Sequence, residues 1–121
     1  MNKTVLTVDV SRTMRDMLKA ALVTAGYRVL QAEDGIHGLE VLQSEKPDVI
    51  ITDINMPRLD GFGFIEKVRA EGGMRGVPIL VLTTESDPEK KNRARQAGAT
   101  GWIVKPFSPP KLIDAIRRVA M

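Results

Sequence analysis

Cysteine is absent from the 121 residues, which excludes disulfides and thiolate-based zinc sites and fits a reducing compartment. Aromatic residues are scarce. One Trp, one Tyr and three Phe give no stacking platform for nucleic-acid bases. No run approaches the roughly 20 apolar residues that span a bilayer. The apolar N-terminal stretch is short and broken by Asp9, so it reads as neither signal peptide nor anchor. The excess positive charge is only +3, far from the concentrated charge of a nucleic-acid binder. Neither a Gly-x-Gly-x-x-Gly fingerprint nor a Walker-type loop is present. The expectation is a soluble cytoplasmic monomer of one domain, residues 1–121, with no nucleic-acid or membrane partner.

What is present suits a folded core: 43% of the residues are apolar and 27% charged. Short β-branched runs at Thr4–Val8, Arg28–Ala32, Val49–Thr52, Val77–Leu82 and Gly101–Val104 read as five strands. Helical spacing fills the gaps. Ser11 caps a first helix with an apolar stripe of Met14, Met17, Leu18, Ala21, Leu22 and Ala25, stopped by Gly26. Asp34 caps a second, carrying Ile36, Leu39 and Leu42. A third runs from about Gly61 with Phe64, Ile65 and Val68 inward. A fourth covers about Pro88–Gln96 and ends at Ala97–Gly98, and a fifth starts near Ser108 and buries Leu112, Ile113, Ile116 and Val119. Gly72, Gly73 and Gly76 to Pro78 read as one flexible loop before strand four. Strands alternating with helices imply a parallel α/β sheet covered on both faces.

The chemistry gathers after the strands. Strand one ends in Asp9, strand three in Asp53, strand four in Thr83-Thr84 and strand five in Lys105-Pro106. In a parallel sheet these carboxyl ends share one edge, where open α/β sheets bind ligands. Two carboxylates, a hydroxyl and an ammonium should converge there.

In order and spacing, Val8-Asp9, Thr52-Asp53, Asn55-Met56-Pro57, Asp60-Gly61, Thr83, Ala97-Gly98-Ala99 and Lys105-Pro106-Phe107 resemble the receiver domains of response regulators. The likeness is greatest to the single-domain chemotaxis (CheY-type) members, and it covers nearly the whole chain without an output domain. It implies a (βα)5 doubly wound, flavodoxin-like fold with strand order 2-1-3-4-5. It also implies that Asp53 takes a phosphoryl group from a histidine kinase in a two-component system. Asp9, Asp53 and the Asn55 backbone carbonyl would hold Mg2+, Lys105 and Thr83 would meet the phosphoryl oxygens, and Lys105-Pro106 would be cis. Trp102 stands in the place of the family's aromatic switch residue. A change on the face of helix four, strand five and helix five would then reach an output partner, such as a flagellar motor switch protein. Lys90, Lys91, Arg93 and Arg95 make that face basic, suited to an acidic segment.

One departure stands out. The family carries two adjacent acids after strand one, and here Asp9 is followed by Val10. A hard cation needs oxygen ligands, and valine has none on its side chain. Weakened Mg2+ binding and slowed or lost phosphorylation are therefore expected, whether Val10 is natural or introduced. The main alternative is a phosphorylation-impaired receiver that only docks partners. Glu85 is the next acid in sequence, but it lies two residues past Thr83 and is not expected to substitute.

Other functions fit less well. An aspartate-nucleophile phosphatase needs a second acid two residues on, where this chain has Ser11 after Asp9 and Asn55 after Asp53. A flavodoxin-like electron carrier needs a hydroxyl- and glycine-rich loop, which Val10-Ser11-Arg12 is not. Asp60 reads as a turn former, His37 as a surface residue, and the six methionines as core and termini.

Overall fold

The computed structural model describes residues 3–71 and 76–120. In chain order these form β1 (Thr4–Val8), α1 (Arg12–Thr24), β2 (Arg28–Ala32), α2 (Gly35–Leu42) and β3 (Val49–Thr52). They continue with α3 (Gly61–Ala70), β4 (Ile79–Thr83), α4 (Pro88–Ala97), β5 (Gly101–Val104) and α5 (Pro109–Val119). All neighbouring strands pair in parallel, in the order β2-β1-β3-β4-β5. The chain therefore crosses over after β2, and the C-termini of β1 and β3 lie side by side, with Val8 opposite Thr52. This is the expected CheY-like fold.

Period-2 alternation divides the strand side chains between two cores. On one face Leu6, Val8, Ile50, Ile79 and Val81 meet Phe64, Ile65 and Val68 of α3 and Ala94 of α4. On the other, Val5, Val49, Ile51, Leu80 and Leu82 meet Leu18 and Leu22 of α1 and Leu112 and Ile116 of α5. Each fully buried Leu or Ile contributes about 1.5–3 kcal/mol relative to exposure. The central strands β3 and β4 are buried throughout, which explains their unbroken apolar runs.

Four boundaries and faces differ from expectation. β4 begins at Ile79, not Val77, and includes Thr83. Pro78 has no N–H for the ladder, and the Val77 carbonyl is taken by the Arg69 guanidinium. α4, by contrast, ends at Ala97–Gly98 as expected, with a φ of +119° at Gly98 that glycine adopts readily. In α1 the buried stripe narrows to Leu18 and Leu22, while Met17 is 51% exposed and Ala25 is exposed. α1 lies against only one face of the sheet, so the edge of its stripe remains uncovered. Ile113 and Val119 are half-buried for the same reason. In α2 the residues fully buried are Gly35 and Gly38, with Ile36, Leu39 and Leu42 half-buried. Most of the glycine loop expected before β4, residues 72–75, lies outside the described residues.

Candidate functional site

The site forms where the strands end. Asp9 follows β1 and is 2% exposed, Asp53 follows β3 at 8%, and Thr83 closes β4 at 0%. Lys105 follows β5, and its bond to Pro106 is cis. The sheet order brings them to one edge: the Lys105 ammonium donates to Asp9 Oδ2 at 2.9 Å and to Asp53 Oδ2 at 2.7 Å, and the Lys105 main-chain N–H donates to the Thr83 carbonyl at 2.8 Å. Residues 96 and 52 positions apart in the chain thus meet through one nitrogen.

Each carboxylate is also held by backbone. Asp9 Oδ1 accepts from the Ser11 N–H at 2.9 Å, and Asp53 Oδ1 accepts from the Ile54 N–H at 2.6 Å. The Arg15 side chain donates to the Asp9 carbonyl. Charge-assisted bonds of this kind are the stronger ones. Burial works against the Lys105 ammonium, but its hydrogen bonds to Asp53 and Asp9 outweigh this and hold its pKa above the ordinary lysine value. Lys105 therefore stays charged at neutral pH, and Asp9, Asp53 and Lys105 together carry one net negative charge.

Val10 is 51% exposed at the rim and offers no side-chain oxygen. Asn55 is exposed beside the site. The side-chain oxygens brought together for a cation are those of Asp9 and Asp53. This all-oxygen set suits a hard cation such as Mg2+. Among the described residues, no group of three or more His, Cys, Asp or Glu could hold a metal. Glu85 stays out of the carboxylate pair, as expected: its side chain pairs with Lys90 at 3.0 Å and touches the Asn55 amide at 3.5 Å, the outer limit of a hydrogen bond.

The loop after β4 links the site to Trp102. Thr83 Oγ1 accepts from the Glu85 N–H at 3.3 Å, and the Trp102 indole N–H donates to the Glu85 carbonyl at 3.1 Å. Sequence reasoning missed this use of Glu85. A signal was available: Asn55 lies two residues past Asp53 and Glu85 two past Thr83, on loops leaving paired strands, so the two must be neighbours. Asp60 caps α3 by accepting from the Gly63 N–H, which is its expected role as a turn former. His37, expected at the surface, is half-buried, and its Nδ1 accepts from the Glu33 N–H at 3.1 Å. Also unforeseen is a two-pronged pair between Arg58 and Asp34. The guanidinium holds the Asp34 carboxyl below the usual carboxylate range.

A buried carboxylate beside a fixed ammonium can attack phosphorus, and the ammonium can bind the charge that results. The chain is similar to several known proteins. Chemotaxis protein CheY1 of Helicobacter pylori strain J99 is 40% identical over 116 residues, 94% of each chain. The solved structure of Vibrio cholerae chemotaxis protein CheY4 superposes with a TM-score of 0.94 at 45% identity, covering 98% of this chain and 99% of that one. The probable transcriptional regulator ycf27 of Guillardia theta is 40% identical over 115 residues, and the chain spans only 44% of its length. The receiver domain of the Pseudomonas aeruginosa histidine kinase PA1611 was solved with magnesium in its active-site cleft. It matches at 28% identity with a TM-score of 0.92, covering 99% of this chain and 98% of that one. No helix among the described residues is long and apolar enough to cross a membrane. With the response regulator receiver domain family matching residues 5–117, the chain belongs to that family.

Proposed function

We propose that this receiver domain is a phosphorylation-dependent switch, that Asp53 is its phosphoacceptor, and that it serves chemotaxis. The observation that carries the reading is the Lys105 ammonium bridging Asp53 and Asp9 at the edge of the sheet. Asp53 attacks the phosphorus of a phosphohistidine on a histidine kinase; an O–P bond forms, the donor P–N bond breaks, and the imidazole leaves. Lys105 turns its charge to the incoming phosphoryl oxygens as a point charge. The Thr83 hydroxyl, which accepts from Glu85, keeps its own proton to donate to the phosphoryl group. Mg2+, held by Asp9, Asp53 and the Asn55 carbonyl, would neutralise phosphoryl charge when bound.

The output runs through Trp102. Its indole is tied to the loop that begins at Thr83, so inward movement of Thr83 alters the indole's bond to Glu85. The face of α4, β5 and α5 then changes for an output partner, such as a flagellar motor switch protein. Chemotaxis is supported by the likeness to CheY1 at 40% identity and to CheY4 at 45%, and it competes with transcriptional control, since ycf27 is as similar as CheY1.

A second reading has its own support. Val10 removes an oxygen from the rim, so Mg2+ binds more weakly than at a site with two adjacent acids, and phosphorylation slows. In the limit the domain docks partners without turning over phosphate. Incubation with acetyl phosphate and Mg2+, read by intact mass, separates the two. The switch reading expects one added phosphoryl group, lost in Asp53→Asn. An unmodified mass under conditions that label a two-acid receiver would leave only the docking reading.

A further inference from the structure

The loop that leaves Asp53 carries Asn55, and its far end is held in an unusual way. Arg58 has φ +66°, and among the described residues it is the only non-glycine with positive φ. A bulky L-residue rarely adopts that conformation unless its surroundings enforce it. Here its guanidinium reaches Asp34 with two parallel bonds, Nε to Oδ2 at 2.8 Å and Nη2 to Oδ1 at 2.9 Å. Asp34 is 4% exposed and also accepts from the His37 N–H at 2.8 Å, capping α2. One carboxylate therefore fastens both the first turn of α2 and the β3–α3 loop.

The loop fits closely against the helix it is tied to. A Cβ built on Gly35 would stand 2.6 Å from the Leu59 carbonyl oxygen. At the loop's base the Gly61 N–H donates to the Ile54 carbonyl at 2.8 Å. Between these two anchors lies Asn55, whose main-chain carbonyl is a metal ligand in the function proposed above.

We infer that Arg58 is a positioning residue, fixing the Asn55 backbone for the cation through its clamp on Asp34. This rests on the reading of the Asp53 site as a Mg2+ site. The clamp counts for more in this chain than in a two-acid receiver, because Val10 leaves the main-chain oxygen among few remaining ligands. The Arg58 side chain is 53% exposed, and ion pairs exposed in this way add little to global stability. The effect of losing the clamp is therefore local to the loop.

The test compares the whole chain with Arg58→Ala, Arg58→Gly and Asp34→Asn. Asn can still cap α2 but cannot make the charged pair. Without metal, amide hydrogen exchange at Gly61 should quicken by about tenfold in all three, with β1 amides and the urea midpoint nearly unchanged. Arg58→Gly removes the backbone constraint together with the guanidinium. If its loop exchanges as slowly as the parent's, the side chain does not hold the loop and the inference is overturned. A Mg2+ titration followed by the Asn55 amide resonance should show affinity falling roughly tenfold in Arg58→Ala. Equal affinity in parent and variant overturns the clamp but leaves the site reading intact. No Mg2+ response in the parent overturns the site reading, and with it the clamp's purpose, while exchange still reports whether Arg58 orders the loop.

Discussion

Val10 tests the site at the scale of one side chain. It stands half-exposed beside two carboxylates that already share the Lys105 ammonium, so a cation entering the hollow meets one net negative charge. Val10→Asp adds a second negative charge and a carboxylate at the rim without disturbing a packed core. Mg2+ affinity should rise by roughly tenfold or more, followed through Trp102 fluorescence. No gain would mean that the missing acid does not limit binding. The gathering of Asp9, Asp53 and Lys105 was legible because each stands directly after an apolar strand, and Thr83 because it ends one. Arg58 and Asp34 were not, because a guanidinium 24 residues from its partner leaves no periodic trace.

Among the elements, α2 shows how little its apolar residues reveal about its packing. The spacing of Ile36, Leu39 and Leu42 marks a helix, and Leu39 and Leu42 pack half-buried against the core, yet the fully buried residues are glycines. A Cβ on Gly38 would stand 2.8 Å from Phe64 Cε1 and 3.4 Å from Val8 Cγ2, and Phe64 is fully buried. Gly38→Ala gains helix propensity but overpacks this junction. The net expectation is a loss of about 1 kcal/mol in urea unfolding. A stabilised variant would show that the Phe64 ring can yield. α4 is the opposite case. Ala94 alone is fully buried in it, and it meets α3 through Arg93 lying 4.2 Å over the Phe62 ring and through the Arg69 guanidinium on the Gly98 carbonyl. A helix so lightly packed suits the face proposed to change shape.

Across the whole molecule, Lys105 ties β5 to β1 and β3, so its titration should register in global stability. Its pKa is raised in the fold. The stabilisation is therefore complete below about pH 10.5, the ordinary value, and is lost as pH rises through the folded value. Asp34 behaves in the opposite sense. Its folded pKa is depressed, chiefly by Arg58, so the clamp holds above about pH 3.8 and loosens as pH falls through the folded value, a change local to the loop that leaves the urea midpoint nearly unmoved. Urea midpoints measured against pH should fall at the alkaline end more steeply in the parent than in Lys105→Met. Equal slopes would detach Lys105 from the stability of the sheet.

The alternation of β-branched runs with helical stripes is local information, carried within a few residues by backbone geometry and burial. By itself it determined five strands, five helices and the residues that end the strands. Strand order came only from likeness to a family, because pairing joins segments far apart in the chain. Tertiary structure alone decided that one ammonium serves both carboxylates, that Arg58 reaches Asp34, and that Glu85 pairs with Lys90. Those contacts depend on how two cores close over opposite faces of one sheet, and nothing local in the chain specifies that closure.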